Sequence, residues 1–233
     1  MIVISSSLPK SGSTLIANYQ EDLLQIVEPR NGQQQLRKAF GGRFIGSFSA
    51  PTIARLLALH ARYGSIVIKT HASVNPLIAG LIRARVAVAT YCYRDPRDVI
   101  LSSIDHGVRT RRGDDPSGAF REFETVENSL PLVQGFVDRW KSWHRFGQAH
   151  FIRYETLMAD KLGHLKAMAD YMNWWLPEDQ LAELVDRHDP KKRPGGSYNF
   201  NKGTTYRYKT EMSPEDIARC STAFGDILSL YDY

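Results

Sequence analysis

The sequence predicts an α/β protein in which a mostly parallel sheet is covered by helices on both faces, a three-layer α/β/α arrangement. Short apolar and β-branched runs alternate with helical patterns, and each run ends in polar, Gly- or Pro-bearing residues that open the next helix. Size is the third observation. At 233 residues the chain fits one large core, so a single domain over 1–233 is expected.

The first strand covers residues 1–6 and breaks at Leu8-Pro9-Lys10-Ser11-Gly12. A helix follows, with Leu15, Ile16, Tyr19, Leu23, Leu24 and Val27 on one stripe, ended by Pro29 and Gly32. An amphipathic stretch at 54–61 and a break at Gly64 precede a second strand over 65–71, and a third runs over 85–93. After the third comes Arg94-Asp95-Pro96-Arg97-Asp98, where Asp95 suits a helix cap, Pro96 the first helical position and Asp98 the positive end of the dipole. A helix over 132–146, carrying Trp140 and Trp143, leads into a fourth strand over 149–154. Helical stretches follow around 162–172 and 178–187, while 107–129 and 189–210 read as loops because charge, Gly and Pro dominate them. Parallel sheets bind ligands beyond the carboxyl ends of their strands, so functional residues should gather there.

Composition excludes several classes. Hydrophobic residues make up 42% and charged residues 24%, which is a folded, water-soluble balance and not a disordered one. No apolar run approaches the roughly 18 residues of a membrane span, and no signal segment opens the chain, so a cytoplasmic protein without a membrane span is expected. A net charge of +5 tolerates an anionic ligand but falls short of a nucleic-acid binder. Cys92 and Cys220 stand far apart without metal-ligand spacing, so neither a disulfide framework nor a metal site is expected.

Residues 8–14 follow a strand and open a helix, so backbone N–H groups, Lys10 and the hydroxyls of Ser11, Ser13 and Thr14 can surround a phosphate. The Walker A order is missing, because Lys10 precedes Gly12 instead of following a second glycine. An ordinary ATP or GTP loop is therefore disfavoured.

These residues carry a resemblance. Pro9-Lys10-Ser11-Gly12-Ser13-Thr14 resembles the PKSGTT loop of sulfotransferases that use 3′-phosphoadenosine 5′-phosphosulfate, PAPS, and Lys69-Thr70-His71 resembles that family's KTH segment. The stretch from Tyr93 through Ser102 is similar to its 3′-phosphate motif, an arginine followed eight residues later by a serine. Tyr154-Glu155 resembles its YE pair, and residues 201–209 look like a degraded RKGxxGxWK segment. The resemblance spans residues 1 to about 215 in order, and implies a P-loop-like sulfotransferase fold.

What the resemblance implies can be stated residue by residue. His71 would take the proton of an acceptor hydroxyl or amine during in-line sulfuryl transfer, without a metal, and its ordinary pKa near 6.5 suits a base. Lys69, two residues earlier on an extended chain, faces the same way and would stabilise the moving group, as Lys10 would the leaving phosphate. Ser11, Gly12, Ser13 and Thr14 would complete the loop. Arg94 and Ser102 would hold the 3′-phosphate, the alternative for Arg94 being an ion pair with Asp95 or Asp98; Arg97 is the more structural arginine. Tyr154 would reach the adenine or simply close a core. Asn201, Lys202 and Gly203 would also meet the 3′-phosphate, chiefly through Lys202 and the backbone around Gly203.

The departures bear on donor binding. Leu15 stands where the family has a stacking tryptophan, Asn201 where it has arginine, and Tyr206 and Tyr208 replace glycine and tryptophan. Donor affinity would fall about tenfold or more unless another cation, such as Arg193 or Arg207, supplies the missing charge. On the acceptor side Arg109, Arg111 and Arg112 fall in the expected loop, which would cover the pocket, recruit an acidic acceptor or lie solvated. The expected activity is sulfuryl transfer from PAPS to a small-molecule hydroxyl or amine, with PAP as product. The competing readings are an atypical nucleotide phosphotransferase and a non-catalytic nucleotide-binding relative.

Overall fold

The computed structural model describes residues 1–115, 117–189 and 203–233. Four strands form one sheet in the order β2-β1-β3-β4: β1 Ile2–Ser7, β2 Ile66–Thr70, β3 Ala87–Tyr93 and β4 His150–Arg153. Every pairing among them is parallel, with Ile2 opposite both Ile66 and Ala87, and Tyr93 opposite Arg153. Parallel strands need crossovers, and helices supply each one.

Strand alternation builds the two faces. Ile2, Ile4, Ile66 and Ile68 point to one side, where α3 (Ala50–Tyr63), α4 (Pro76–Arg83), α5 (Pro96–Arg112), α6 (Val126–Phe146) and α11 (Pro214–Leu230) pack through residues such as Leu56, Ile78, Ile100, Trp140 and Phe224. Val3, Val67, Cys92 and Ile152 point to the other, against Ile16, Tyr19 and Leu23 of α1 (Ser13–Val27), Leu165 and Met168 of α8 (Lys161–Tyr171) and Leu181 of α9 (Glu178–Arg187). The result is the expected three-layer α/β fold.

The boundaries correct several expectations. Residues 107–112 are helix and not loop, because α5 continues to Arg112 and ends on Gly113 in the left-handed region (φ 87°). Helix α6 starts at Val126, six residues before the expected start at Leu132, since a Thr125–Asn128 capping box nucleates it and Pro131 is tolerated inside. Only 113–125 connects them, Pro116 excepted. This connection folds back on α5: Thr110 donates to the Ala119 carbonyl at 2.7 Å, and Arg111 to those of Arg121 and Phe123 at 2.7 and 3.0 Å. Gly107 makes the approach possible, because a Cβ there would meet the Phe120 and Phe123 carbonyl oxygens at 2.5 Å. Helices α2 (Gln33–Phe40), α4, α10 (Tyr208–Glu211) and α11 had no sequence assignment, and Tyr154 opens α7 (Tyr154–Ala159) instead of closing β4.

Candidate functional site

All four strands end at residues singled out above. β1 runs into the loop 8–12, β2 carries Lys69 and is followed by His71, β3 is followed by Arg94 and β4 by Tyr154. The loop turns on two left-handed residues, Lys10 (φ 66°) and Gly12 (φ 83°). Only glycine suits the second, because a Cβ there would also stand 3.0 Å from Tyr154 Cδ2. Ser11 is fully buried, its hydroxyl set between the carbonyl oxygens of Leu8 and Cys92. Its side chain therefore shapes the turn and does not line the cavity. No side chain caps the first turn of α1 and no acidic residue stands in it, so its N–H groups face outward with the positive end of the helix dipole.

A cavity of about 160 Å³ opens above this turn. Lys10, Gly12, Ser13 and Thr14 line it from the loop and the start of α1, Lys69 and His71 from the end of β2 and just beyond it, Arg94 from just beyond β3, Ser102 from α5, and Tyr154 and Gly203 close it. Asn201 and Lys202, like Arg193, lie outside the described residues. No Asp or Glu lines this cavity among the described residues. Burial first, then the charges of Arg109, Arg94 and Lys69, lowers the Lys10 ammonium pKa to about 8, and burial with the charge of Arg43 brings Lys69 to about 8. Lys69 Nζ donates to Thr14 Oγ1 at 2.9 Å, tying β2 to the start of α1.

Arg94 makes the ion pair of its alternative reading, and it also lines the cavity. Its guanidinium pairs with the fully buried Asp98 at 3.0 Å and donates to the carbonyls of Lys10 (3.2 Å) and Thr204 (2.8 Å). It lies 4.4 Å over the Tyr154 ring and keeps a buried Nε without a partner. Arg97 forks onto Asp95 at 2.7 and 2.9 Å and is structural as expected. Arg207 reaches the cavity, but Asp105 and Glu211 neutralise it at 2.9 and 2.7 Å, so it offers little net charge for an absent arginine.

His71 stands between this cavity and a second one of about 510 Å³. The carbonyl oxygen of Ser7 lies 2.8 Å from its Nδ1, and a carbonyl can only accept, so the Nδ1 proton is held there. The neutral ring then carries its lone pair on Nε2. Burial, reinforced by Lys69 and Arg139 against the Ser7 bond, lowers its pKa to about 4. The second cavity is walled by Phe44, Phe48, Phe120 and Phe136, with Arg139 at its rim. Phe44, 51% exposed, packs its ring 5.5 Å from that of His71.

Sequence reasoning missed His106, Phe120, His188 and Thr204, which also line the first cavity. His106 was legible in principle: it follows Ser102 by one helical turn, and the continuation of α5 puts both on one face. Phe120 and Phe136 carry no local signal, because a loop and a distant helix bring them together. Among the described residues, no group of three or more His, Cys, Asp or Glu side chains is placed to share a metal ion.

The family model described as the sulfotransferase domain matches residues 2–230. The chain belongs to the sulfotransferase family. Cytosolic sulfotransferase 17 of Arabidopsis thaliana is 24% identical over 187 residues, 67% of this chain and 53% of that protein. The chain thus spans about half the length of this curated relative. Among solved structures, mouse sulfotransferase SULT7A1 complexed with PAP superposes at a TM-score of 0.66 with 14% identity, covering 98% of this chain and 84% of that one. Retinol dehydratase in complex with androsterone and inactive cofactor PAP superposes at 0.63 with 16% identity, covering 97% and 80%. These two likenesses are likenesses of fold, and they place this sulfotransferase domain among α/β proteins of the same architecture. No helix among the described residues is long and apolar enough to cross a membrane.

Proposed function

We propose that this sulfotransferase domain, a single unit over residues 1–233, moves a sulfuryl group from PAPS to a hydroxyl or amine of a small-molecule acceptor in the cytoplasm. PAPS supplies the sulfuryl group and a phosphate leaving group. The protein's residues bind it, orient it and handle the proton.

The observation that carries this reading is the position of His71, at the junction of a cationic cavity and an aromatic one, with its Nδ1 proton held by Ser7. Nε2 is then the acceptor for a proton leaving a hydroxyl or amine in the aromatic cavity. Its low pKa keeps the ring neutral at physiological pH, so the lone pair is present in nearly every molecule. A neighbouring polyanion raises that pKa and with it the basicity.

On the donor side the open N–H groups of α1, with Lys10, Lys69, Ser13 and Thr14, suit a phosphosulfate. Lys10 stabilises charge on the departing phosphate and Lys69 charge on the transferred group. The orphaned Nε of Arg94, together with Ser102, suits the 3′-phosphate, and the Tyr154 ring and Leu15 suit the adenine. Gly203 approaches from the segment whose Asn201 and Lys202 complete the phosphate set by sequence. The lack of carboxylates around the described part of the cavity favours a polyanion. The curated relative's name, cytosolic sulfotransferase, supports the location, and the complexes of retinol dehydratase with androsterone and with retinol support a small-molecule acceptor.

Thermal-shift titration tests the donor. PAP should raise the melting temperature and ATP with magnesium should not; a preference for ATP overturns the reading in favour of phosphotransfer. His71→Ala should still bind PAP while its transfer rate falls about a hundredfold or more, the range of general-base catalysis. A fall of less than about tenfold removes His71 as the base.

A further inference from the structure

The acceptor cavity carries more information than its aromatic walls. Resting on the donor and base reading above, we propose that the acceptor is a ring-bearing hydroxyl compound with an anionic group, and that Arg139 receives that group.

Three observations converge. Phe44, Phe48, Phe120 and Phe136 with Pro9 and Ala72 present apolar faces that suit a ring or short hydrocarbon. Arg139 stands at the rim on α6, three residues after Phe136 and therefore on the same helix face, 5.6 Å from its ring. Arg139 makes no ion pair with any described residue, whereas Arg43, Arg94, Arg97 and Arg207 around the site are paired with Glu21, Asp98, Asp95 and Asp105. A guanidinium left open beside an apolar cavity is suited to a carboxylate or sulfate, which it meets with two parallel hydrogen bonds.

The remaining charges point the same way. No Asp or Glu lines either cavity among the described residues, and the sequence from 190 to 202 contains none. Lys10, Lys69 and Arg139 therefore repel an ammonium-bearing acceptor, with no carboxylate to offset them. His71 and Arg139 line the same cavity, so an anion bound to Arg139 keeps the acceptor beside the base. The aromatic wall supplies affinity and Arg139 selects charge.

Three phenols of equal ring and chain length test this: para-hydroxyphenylpropionate, para-propylphenol and tyramine, which are anionic, neutral and cationic. Their kcat/KM is measured with PAPS, and their dissociation constants on the protein with and without PAP. The anion should exceed the neutral compound by about tenfold, the lower end of a charged hydrogen bond's worth for a rim-exposed arginine, and tyramine should be poorest. Arg139→Gln should bring the ratio of anionic to neutral substrate to about one, Arg139→Lys should retain most of it, and Arg139→Glu should lift tyramine above the anion.

Equal ranking of the three, a ranking unchanged in Arg139→Gln, or failure of all three to bind overturns the inference. PAP binding separates it from the donor reading. A protein that binds PAP but ranks the phenols equally overturns the inference alone, and one that ignores PAP yet ranks them by charge overturns the donor reading alone.

Discussion

Lys10 Nζ stands 3.0 Å from Nδ1 of His106, and the opposite nitrogen of that ring donates to Asp115. An ammonium can only donate, so His106 is a neutral imidazole that accepts from Lys10 and passes its own N–H to the carboxylate. Phe120 stacks on the ring at 4.8 Å and lies 5.2 Å below Lys10 Nζ. Burial, with the charge of Lys10, lowers the His106 pKa, which protects the acceptor state. Lys10 is thus aimed by α5 and the connection folded over it, and not by the loop 8–12 alone.

His106→Ala should therefore slow sulfuryl transfer by about tenfold, since a hydrogen bond to a charged group contributes roughly 1.5–3 kcal/mol. PAP affinity should change less than the rate, because Lys10 keeps its charge and loses only its aim. His106→Gln, which retains an acceptor oxygen, should recover part of the loss. Single-turnover rates beside PAP dissociation constants make the comparison, and an unaltered rate in His106→Ala would show that Lys10 is positioned by other contacts.

Alkaline pH should switch donor capture off earlier than a surface lysine would. Burial disfavours the charged amine, so both Lys10 and Lys69 lose their protons near about 8 in place of 10.5. The kcat/KM for PAPS reports the free protein, so its alkaline limb should fall near that value. Lys10→Arg, which stays protonated, should leave the Lys69 ionisation alone to set the limb and so make it shallower. A flat profile to about pH 10 would contradict these lowered values.

Much of this site was legible because it is local. The loop 8–14, Lys69 with His71, and Arg94 with Ser102 each lie at a strand end, and strand-end residues of a parallel sheet converge by topology. Helix α5 was cut short because Gly107 and three arginines resemble a loop, although Gly107 is there to admit the Phe120 and Phe123 carbonyls. The walls of the second cavity could not be read: Phe44 follows α2, Phe120 lies in a connection and Phe136 belongs to α6, and only tertiary packing joins them. Helix α11 was readable, since Ser213 caps it, Pro214 opens it and Ile217, Cys220, Phe224 and Ile227 keep a helical stripe.

Arg94→Ala should destabilise the protein even without nucleotide. It leaves Asp98, fully buried, with the backbone N–H of Tyr208 and no counter-charge, and breaking a buried pair costs about 3–5 kcal/mol. Ser102→Ala removes one hydroxyl at the cavity wall and should weaken PAP with a change of less than about 1 kcal/mol in folding. Urea unfolding and PAP titration of both variants separate the structural contribution of Arg94 from the 3′-phosphate contact proposed for it. Equal stability of Arg94→Ala and the parent would mean that Asp98 is relieved in another way.

Acid should destabilise the fold through His71, and the sign follows from its lowered pKa. The unfolded chain takes up this proton near 6.5, while the folded ring resists it until about 4. Between those values the unfolded state binds more protons, so stability is lost as pH falls through the window and levels off below it. His106, His150 and His164 are shifted downward by burial and add to the same slope. Because the His71 ring borders two open cavities, its own share is about 2 kcal/mol, less than the full shift at about 1.4 kcal/mol per pH unit implies. His71→Asn cannot titrate, so its urea midpoint should fall less steeply with pH across this range, whatever its absolute stability. Parallel slopes for variant and parent would mean that the folded His71 ring protonates as an exposed histidine does, and that water reaches it as freely as it does the unfolded chain.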